Sequence, residues 1–109
     1  MRSEGDAAVR VWVDGRPVPA GAPAIAAIDQ GFTHGWAVFE TLRIERGRAP
    51  HLARHAARLE AAARRLGRPR VDRRWRSDLA AALDATRLTH GAARVALTAG
   101  AVPGGPWSG

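Results

Sequence analysis

Arg58 is placed where a side chain could bind an anion. It directly precedes Leu59, which belongs to an apolar stripe that recurs at three- and four-residue spacing through the run PHLARHAARLEAAARRLG. An arginine beside a buried stripe can lay its aliphatic stem on apolar surface and present its guanidinium in a cleft, where it binds phosphate or carboxylate bidentately. A solvated arginine on the helix flank is the alternative, and it is the commoner outcome for this pattern alone.

Glu40 interrupts the apolar face of a predicted strand. In the run WAVFETLRIE, Val38, Leu42 and Ile44 share one face with Glu40, while Phe39 lies on the other. A carboxylate among apolar side chains must have a partner or lie at a sheet edge, because burial of an unpaired charge is costly.

The four histidines do not form a metal-binding pattern. His51 and His55 are four residues apart, a spacing that can chelate a metal, but the chain has no cysteine, and His34 and His90 add no recognised ligand spacing. We therefore predict no metal site. His34 lies in a loop ahead of the strand, where it could line a pocket or be a surface histidine without a special role.

Gly31 and Gly35 precede the same strand. Their spacing matches neither the dinucleotide-binding fingerprint nor the P-loop, and a strand rather than a helix follows them. We therefore reject a nucleotide-binding loop and expect both glycines to serve the backbone, through a positive φ or a close approach at a bend.

Composition limits the size of the hydrophobic core and excludes reactions that need a lysine from these residues. The 109 residues suffice for one domain, but alanine supplies much of the 46% apolar content, so we expect a thin core that leans on another domain or subunit. All 17 basic residues are arginine, so no lysine is available for a Schiff base. The sequence shows neither a signal peptide nor an apolar run that could span a membrane, and we expect a cytoplasmic protein.

The chemistry-bearing residues lie on an α+β order of elements. A hairpin with its turn at Asp14–Gly15 precedes the strand that carries Glu40, two helices at residues 50–67 and about 73–86, and a last strand in the run AARVALTAG. This order predicts an α+β domain, a small antiparallel sheet with two helices. The predicted segments of the chain are a flexible tail, this domain and a loop, at residues 1–8, 9–100 and 101–109.

A cluster of arginines raises a second class of function. The run RRLGRPRVDRRWR, residues 64–76, holds seven arginines and Trp75, and it could bind nucleic acid through phosphate contacts and base stacking. The competing interpretation is a solvated helix end and loop, with Trp75 in the apolar stripe of the second helix and therefore in the core. We favour the second interpretation.

Four segments, in order, are similar to those of a known enzyme family. They are VWVDGRPV, DQGFTHGWAVFETLR, HLARHAARLEAAARRLG and ARVALTAG. Together they resemble the N-terminal domain of class IV aminotransferases, the fold-type IV enzymes that include branched-chain and D-amino acid aminotransferases and aminodeoxychorismate lyase. The resemblance implies a D-amino acid aminotransferase-like fold and pyridoxal 5'-phosphate as cofactor.

The resemblance also implies roles for five residues. Arg58 matches the arginine that binds the phosphate of the cofactor. Phe39, with Glu40 beside it, matches a position that lines the substrate pocket, and His34 falls where some members carry an aromatic pocket residue. Arg94 aligns with an arginine that helps to hold the substrate carboxylate in branched-chain members.

Two departures from the family concern the substrate and the chemistry. Lyases and D-amino acid members of the family tend to have Thr-Arg-Gly at the segment that is Thr98-Ala99-Gly100 here, so that carboxylate-binding arginine is missing. The lysine that forms the Schiff base comes from a second domain in the family, and this sequence holds no lysine. We therefore expect the 109 residues alone to be inactive, as a fragment, a decayed product or half of a split enzyme.

The expected function is that of a pyridoxal-phosphate enzyme acting on a small amino-acid-like substrate, as a homodimer when complete. Aminodeoxychorismate lyase is favoured, because GFTHGWAVFETLR after a short DG opening looks most like that branch. A branched-chain or D-amino acid aminotransferase is the near alternative. A nucleic-acid-binding module and an inactive interaction fragment are the alternatives of another class.

Overall fold

The computed structural model describes residues 9–67 and 71–101, and these form an α+β arrangement. In chain order the elements are β1 (Val11–Val13), β2 (Arg16–Val18), α1 (Gln30–His34), β3 (Ala37–Glu45), α2 (Leu52–Arg65), α3 (Arg74–Thr86) and β4 (His90–Thr98). The predicted class and the two main helices are confirmed, but these strands form two separate antiparallel pairs, β1 with β2 and β3 with β4. The predicted tail at residues 1–8 and most of the predicted loop at 101–109 lie outside the described residues.

The hairpin of β1 and β2 turns at Asp14 and Gly15, as predicted. Both residues have positive φ, 49° and 80°, which is the conformation of a tight two-residue hairpin turn. A Cβ atom on Gly15 would lie only 2.9 Å from Asp78 Oδ1 on α3. Gly15 therefore serves both the turn and the close approach of the hairpin to α3.

The β3–β4 pair has one covered face and one exposed face. Leu42 and Ile44 are 0% and 1% exposed on the covered face, whereas Phe39 on the other face is 55% exposed. Thr41 pairs with Arg94 across the ladder, so Arg94 shares the exposed face with Phe39. The predicted assignment of strand residues to faces is confirmed.

The core lies between this pair of strands and α2 and α3. Ala56, Leu59 and Trp75 form its buried cluster, which confirms the core placement of Trp75. Leu42, Ile44 and Leu59 are the largest side chains with complete burial among the described residues, so the core is small. No helix in residues 9–67 and 71–101 is long and apolar enough to cross a membrane.

The short helix α1 was not predicted. Asp29 caps it by accepting a hydrogen bond from the Gly31 N–H at 2.8 Å, and Gly35, with φ 69°, ends it in the left-handed conformation. Five residues are too few to show a helical period, so the sequence pattern indicated only a bend here.

Candidate functional site

Glu40 lies on the helix-facing side of β3 and has two partners on α2. Its Oε1 accepts hydrogen bonds from His55 Nδ1, at 2.7 Å, and from the guanidinium of Arg58. His55 and Arg58 are three residues apart, so one helical turn brings both side chains to the same strand. The prediction that Glu40 requires a polar partner is confirmed. These three residues are called the Glu40 cluster below.

The Glu40 cluster fixes an arginine while leaving it accessible. Hydrogen bonds from His55 and, secondarily, from Arg58 hold the pKa of Glu40 below its ordinary value of 4.5. An ionised carboxylate only accepts hydrogen bonds, so His55 Nδ1 carries the proton. The side chain of Glu40 is 15% exposed, whereas that of Arg58 is 63% exposed.

Arg58 retains donors for a further anion. A guanidinium has five N–H donors in a planar fork, and the contact with Glu40 occupies one end of it. Because the carboxylate already orients the group, an incoming oxyanion meets donors that need little further ordering. This arrangement can bind a phosphate or carboxylate at the surface of α2.

Phe39 and Arg94 form a second group on the opposite face of the β3–β4 pair. The guanidinium carbon of Arg94 lies 3.8 Å from the centroid of the Phe39 ring, a cation–π contact. Both residues are exposed, and Arg94 has no carboxylate partner among the described residues. The strands therefore separate these two residues from the Glu40 cluster.

His34 joins neither group. Its ring stacks on Trp36, with centroids 4.8 Å apart, and its Nδ1 lies 2.7 Å from Thr33 Oγ1. It is exposed at the end of α1. The structure thus places the five residues singled out by the resemblance in three locations.

The segment before β3 is tied to the end of β4, a connection that the sequence pattern did not reveal. Asp29 Oδ2 accepts a hydrogen bond from Thr98 Oγ1 at 3.0 Å, and the Gln30 N–H donates to the Gly100 carbonyl at 2.9 Å. A Cβ atom on Gly31 would lie 2.8 Å from Thr98 Cγ2, so this glycine permits the close approach. Both expected backbone roles are confirmed, a close approach at Gly31 and a positive φ at Gly35.

A second paired carboxylate, Glu60 on α2, was missed by sequence reasoning. It accepts a hydrogen bond from Trp75 Nε1 at 3.0 Å and a bidentate pair from Arg76 at 2.9 and 2.7 Å. Arg76 is the main cause that lowers the pKa of Glu60. We call these three residues the Glu60 cluster, and they join α2 to α3. A glutamate beside Leu59 of the apolar stripe was the available signal.

The arginine-rich run is partly neutralised by acids. Arg73 lies 3.5 Å from Glu60, and Arg74 donates to Asp72 at 2.9 Å. With Arg76, three arginines of the run therefore have carboxylate partners, while residues 68–70 lie outside the described residues. Of the histidines, His55 is engaged by Glu40, and no group of three or more potential metal ligands occurs in the described part of the chain.

Comparison with known proteins identifies the family. The sequence profile of a family described as amino-transferase class IV matches residues 37–107. The crystal structure of 4-amino-4-deoxychorismate lyase from Pseudomonas aeruginosa is similar, with a TM-score of 0.68 and 38% identity over 82% of this chain and 31% of that chain. A candidate 4-amino-4-deoxychorismate lyase from Legionella pneumophila has a TM-score of 0.63 and 28% identity, over 74% of this chain and 31% of its own. No curated protein sequence gives a significant match.

The family match extends over more than half of the 109 residues, and it includes the strand and helix that carry the Glu40 cluster. The chain spans about a third of the length of the two solved structures that it resembles, 31% in each case. This chain belongs to the class IV aminotransferase family.

Proposed function

We propose that this chain is the N-terminal part of a pyridoxal 5'-phosphate enzyme that acts as a 4-amino-4-deoxychorismate lyase. The observation that carries the proposal is Arg58, held by Glu40 with its outer donors accessible. The likeness to two solved structures of that description supports the choice of reaction. The lysine that attaches the cofactor is supplied by further residues or by another chain, because the 109 residues include none.

The Glu40 cluster fits the phosphate of the cofactor. Arg58 binds the phosphate through the guanidinium donors that Glu40 leaves unused. Glu40 orients the guanidinium, and the hydrogen bond from His55 holds the carboxylate in place. When bound, pyridoxal 5'-phosphate supplies the electron sink that this class of reaction needs.

In this proposal the substrate contacts the exposed face of the β3–β4 pair, one residue along β3 from Glu40, so that substrate and cofactor meet around the edge of this strand. Arg43 on this face is paired with Glu45 at 2.6 Å, whereas Arg94 has no acidic partner among the described residues and can bind a substrate carboxylate. Phe39 offers an exposed ring surface beside it. Since Ala99 stands where other members carry an arginine, Arg94 is the cation that we assign to this task. We also assign His34, at the end of α1, to the substrate side of the site, although its observed contacts are to Trp36 and Thr33.

The complete enzyme is proposed to be a homodimer. Three large apolar side chains around α1 are exposed, Ile25 by 58%, Ile28 by 66% and Phe32 by 80%. Exposed apolar side chains grouped in one short segment are typical of surfaces that another domain or subunit covers. The small core requires such additional burial for stability.

The test begins with protein purified under native conditions from its source cells. We expect an intact mass well above 11.6 kDa, or a bound partner chain, and consumption of 4-amino-4-deoxychorismate that depends on added pyridoxal 5'-phosphate. Amino transfer from a branched-chain or D-amino acid, without consumption of 4-amino-4-deoxychorismate, would replace the lyase by an aminotransferase. A lone chain of 11.6 kDa that does not bind the cofactor would contradict the proposal and favour an interaction fragment.

A further inference from the structure

An open groove lies on the helical side of the domain, away from the Phe39 face. It has a volume of about 830 Å³ and runs between α3, the connection from β3 to α2, and the connection from α3 to β4. Its floor is formed by four leucines, Leu52, Leu79, Leu83 and Leu88. None of them has a part in the proposed reaction.

The apolar stripe of α3 is only partly covered. Trp75 is the one described residue of α3 that is buried, whereas Leu79 and Leu83, one and two turns later, are half-buried. Leu52 and Leu79 touch the edge of the core cluster, so the groove continues the core toward solvent. A stripe of this kind is an incomplete helix-packing surface, which a further helix could complete.

The rim of the groove carries excess positive charge. Arg48 and Arg87 are exposed and have no carboxylate partner within the described ranges, whereas Arg76 is engaged by Glu60. Asp84 is the acidic residue of the rim. Because Arg48 and Arg87 together outweigh the charge of Asp84, the groove favours an occupant that carries negative charge beside its apolar side chains.

We propose that this groove binds an acidic amphipathic helix of a partner protein. Its apolar anchors, at three- and four-residue spacing, lie on the leucine floor, and its Asp or Glu side chains pair with Arg48 and Arg87. A second copy docking through the same groove fits poorly, because it would bring Arg48 and Arg87 against the same two arginines of the other copy.

The test uses a labelled helical peptide with leucines at three- and four-residue spacing and glutamates on both flanks, titrated into the 109-residue protein by fluorescence anisotropy. The control peptide has lysine at each glutamate position. The test variant is Arg48→Glu. Its matched control is Arg16→Glu, which makes the same charge change at an exposed site on β2, outside the groove.

We expect saturable binding of the glutamate peptide, no binding of the lysine peptide, and a loss of about tenfold in affinity for Arg48→Glu but not for Arg16→Glu. Leu83→Ala should also weaken binding, because it removes part of the floor. Equal losses for both arginine variants would overturn the proposal, since binding would then depend on net charge alone. It would equally be overturned by concentration-dependent dimers that Leu83→Ala abolishes, or by a longer native form of the protein that excludes the peptide, because the occupant would then be a second copy or the rest of the chain.

Discussion

The Glu40 cluster and the Glu60 cluster both include residues of α2 and use the same kind of hydrogen bonding, but they serve different purposes. In each, a carboxylate with a lowered pKa accepts hydrogen bonds from an arginine and from an aromatic ring nitrogen. The side chain of Glu60 is 3% exposed, and both ends of the Arg76 fork that face it are occupied. The side chain of Glu40 is 15% exposed, and its arginine, Arg58, is 63% exposed.

This difference shows that residue type does not decide whether an arginine is structural or available for binding. Arg76 donates bidentately and connects two helices, and its side chain is 40% exposed. Arg58 is oriented from one side only and presents the rest of its fork to solvent. The Glu60 cluster should therefore govern stability, and the Glu40 cluster should govern anion binding.

The largest expected effect on stability is that of Glu60→Ala. The variant leaves the buried Trp75 N–H without an acceptor, which costs about 1–3 kcal/mol. Urea unfolding of the wild-type protein and the variant measures this loss. Removal of the arginine of the other cluster, in Arg58→Ala, should shift the free energy of unfolding by no more than about 0.5 kcal/mol, the usual scale for exposed positions. Equal losses in the two variants would remove the proposed distinction.

Acid should weaken both clusters, and the Glu60 cluster more strongly. Because the folded-state pKa of each glutamate lies below its ordinary value of 4.5, the unfolded chain binds more protons as the pH falls through that region. The stability that the two glutamates contribute is thus complete above this range and is lost progressively below it. Asp72, whose pKa is lowered by Arg74, adds to the loss.

Unfolding midpoints measured across the acid range can separate the two contributions. Glu60→Gln should flatten the acid dependence more than Glu40→Gln does, because Glu60 accepts hydrogen bonds from more donors. An unchanged slope in Glu60→Gln would show that its pairing does not differ between the folded and unfolded states.

Glu40→Gln should have its main effect on anion binding. The amide keeps the shape of the side chain but weakens its hydrogen bond with Arg58, so affinity for pyridoxal 5'-phosphate should fall several-fold, by a fraction of the strength of one charge-assisted hydrogen bond. Thermal unfolding near neutral pH should change less than in Glu60→Gln. Calorimetric titration of both variants with the cofactor makes the comparison, and a stronger effect on binding from Glu60→Gln would reverse the assignment.

Asp29→Asn lies outside both clusters, and its effect on stability should be smaller than that of Glu60→Ala. The amide can still accept one of the two hydrogen bonds that Asp29 accepts, from the Gly31 N–H and from Thr98 Oγ1. The loss should be about 0.5–1.5 kcal/mol and should appear as faster amide exchange at Gly31 and Gly100. Unchanged exchange at Gly100 would show that Asp29 does not hold the end of β4.

The parts of the fold that depend on local pattern could be predicted. Alternation along β3 placed Leu42 and Ile44 inside and Phe39 outside, and helical spacing placed Trp75 in the core. The turn at Asp14–Gly15 followed from the dipeptide alone. Each of these features is set within a few residues of the chain, where periodicity and turn chemistry operate.

The parts that depend on long-range placement could not be predicted. That Glu40 needs a partner followed from its apolar face, but the choice of His55 and Arg58 depends on how α2 crosses β3. The signal for Glu60 was its place beside Leu59 of the apolar stripe, which does not reveal that its donor Arg76 lies on another helix. The likeness to a family supplied a role for Arg58 that its pattern alone did not favour.

The most direct test of the role of Arg58 compares pyridoxal 5'-phosphate with pyridoxal, which lacks the phosphate. Affinities for both compounds are measured by calorimetry on the complete enzyme, with the part that supplies the lysine present, for the wild type, for Arg58→Ala and for Arg54→Ala, an exposed arginine of α2 outside the Glu40 cluster. We expect Arg58→Ala to weaken binding of pyridoxal 5'-phosphate by about a hundredfold, to leave pyridoxal nearly unchanged, and Arg54→Ala to behave like the wild type. An Arg58→Ala variant that still prefers pyridoxal 5'-phosphate over pyridoxal as strongly as the wild type would contradict the assignment of the phosphate to the Glu40 cluster.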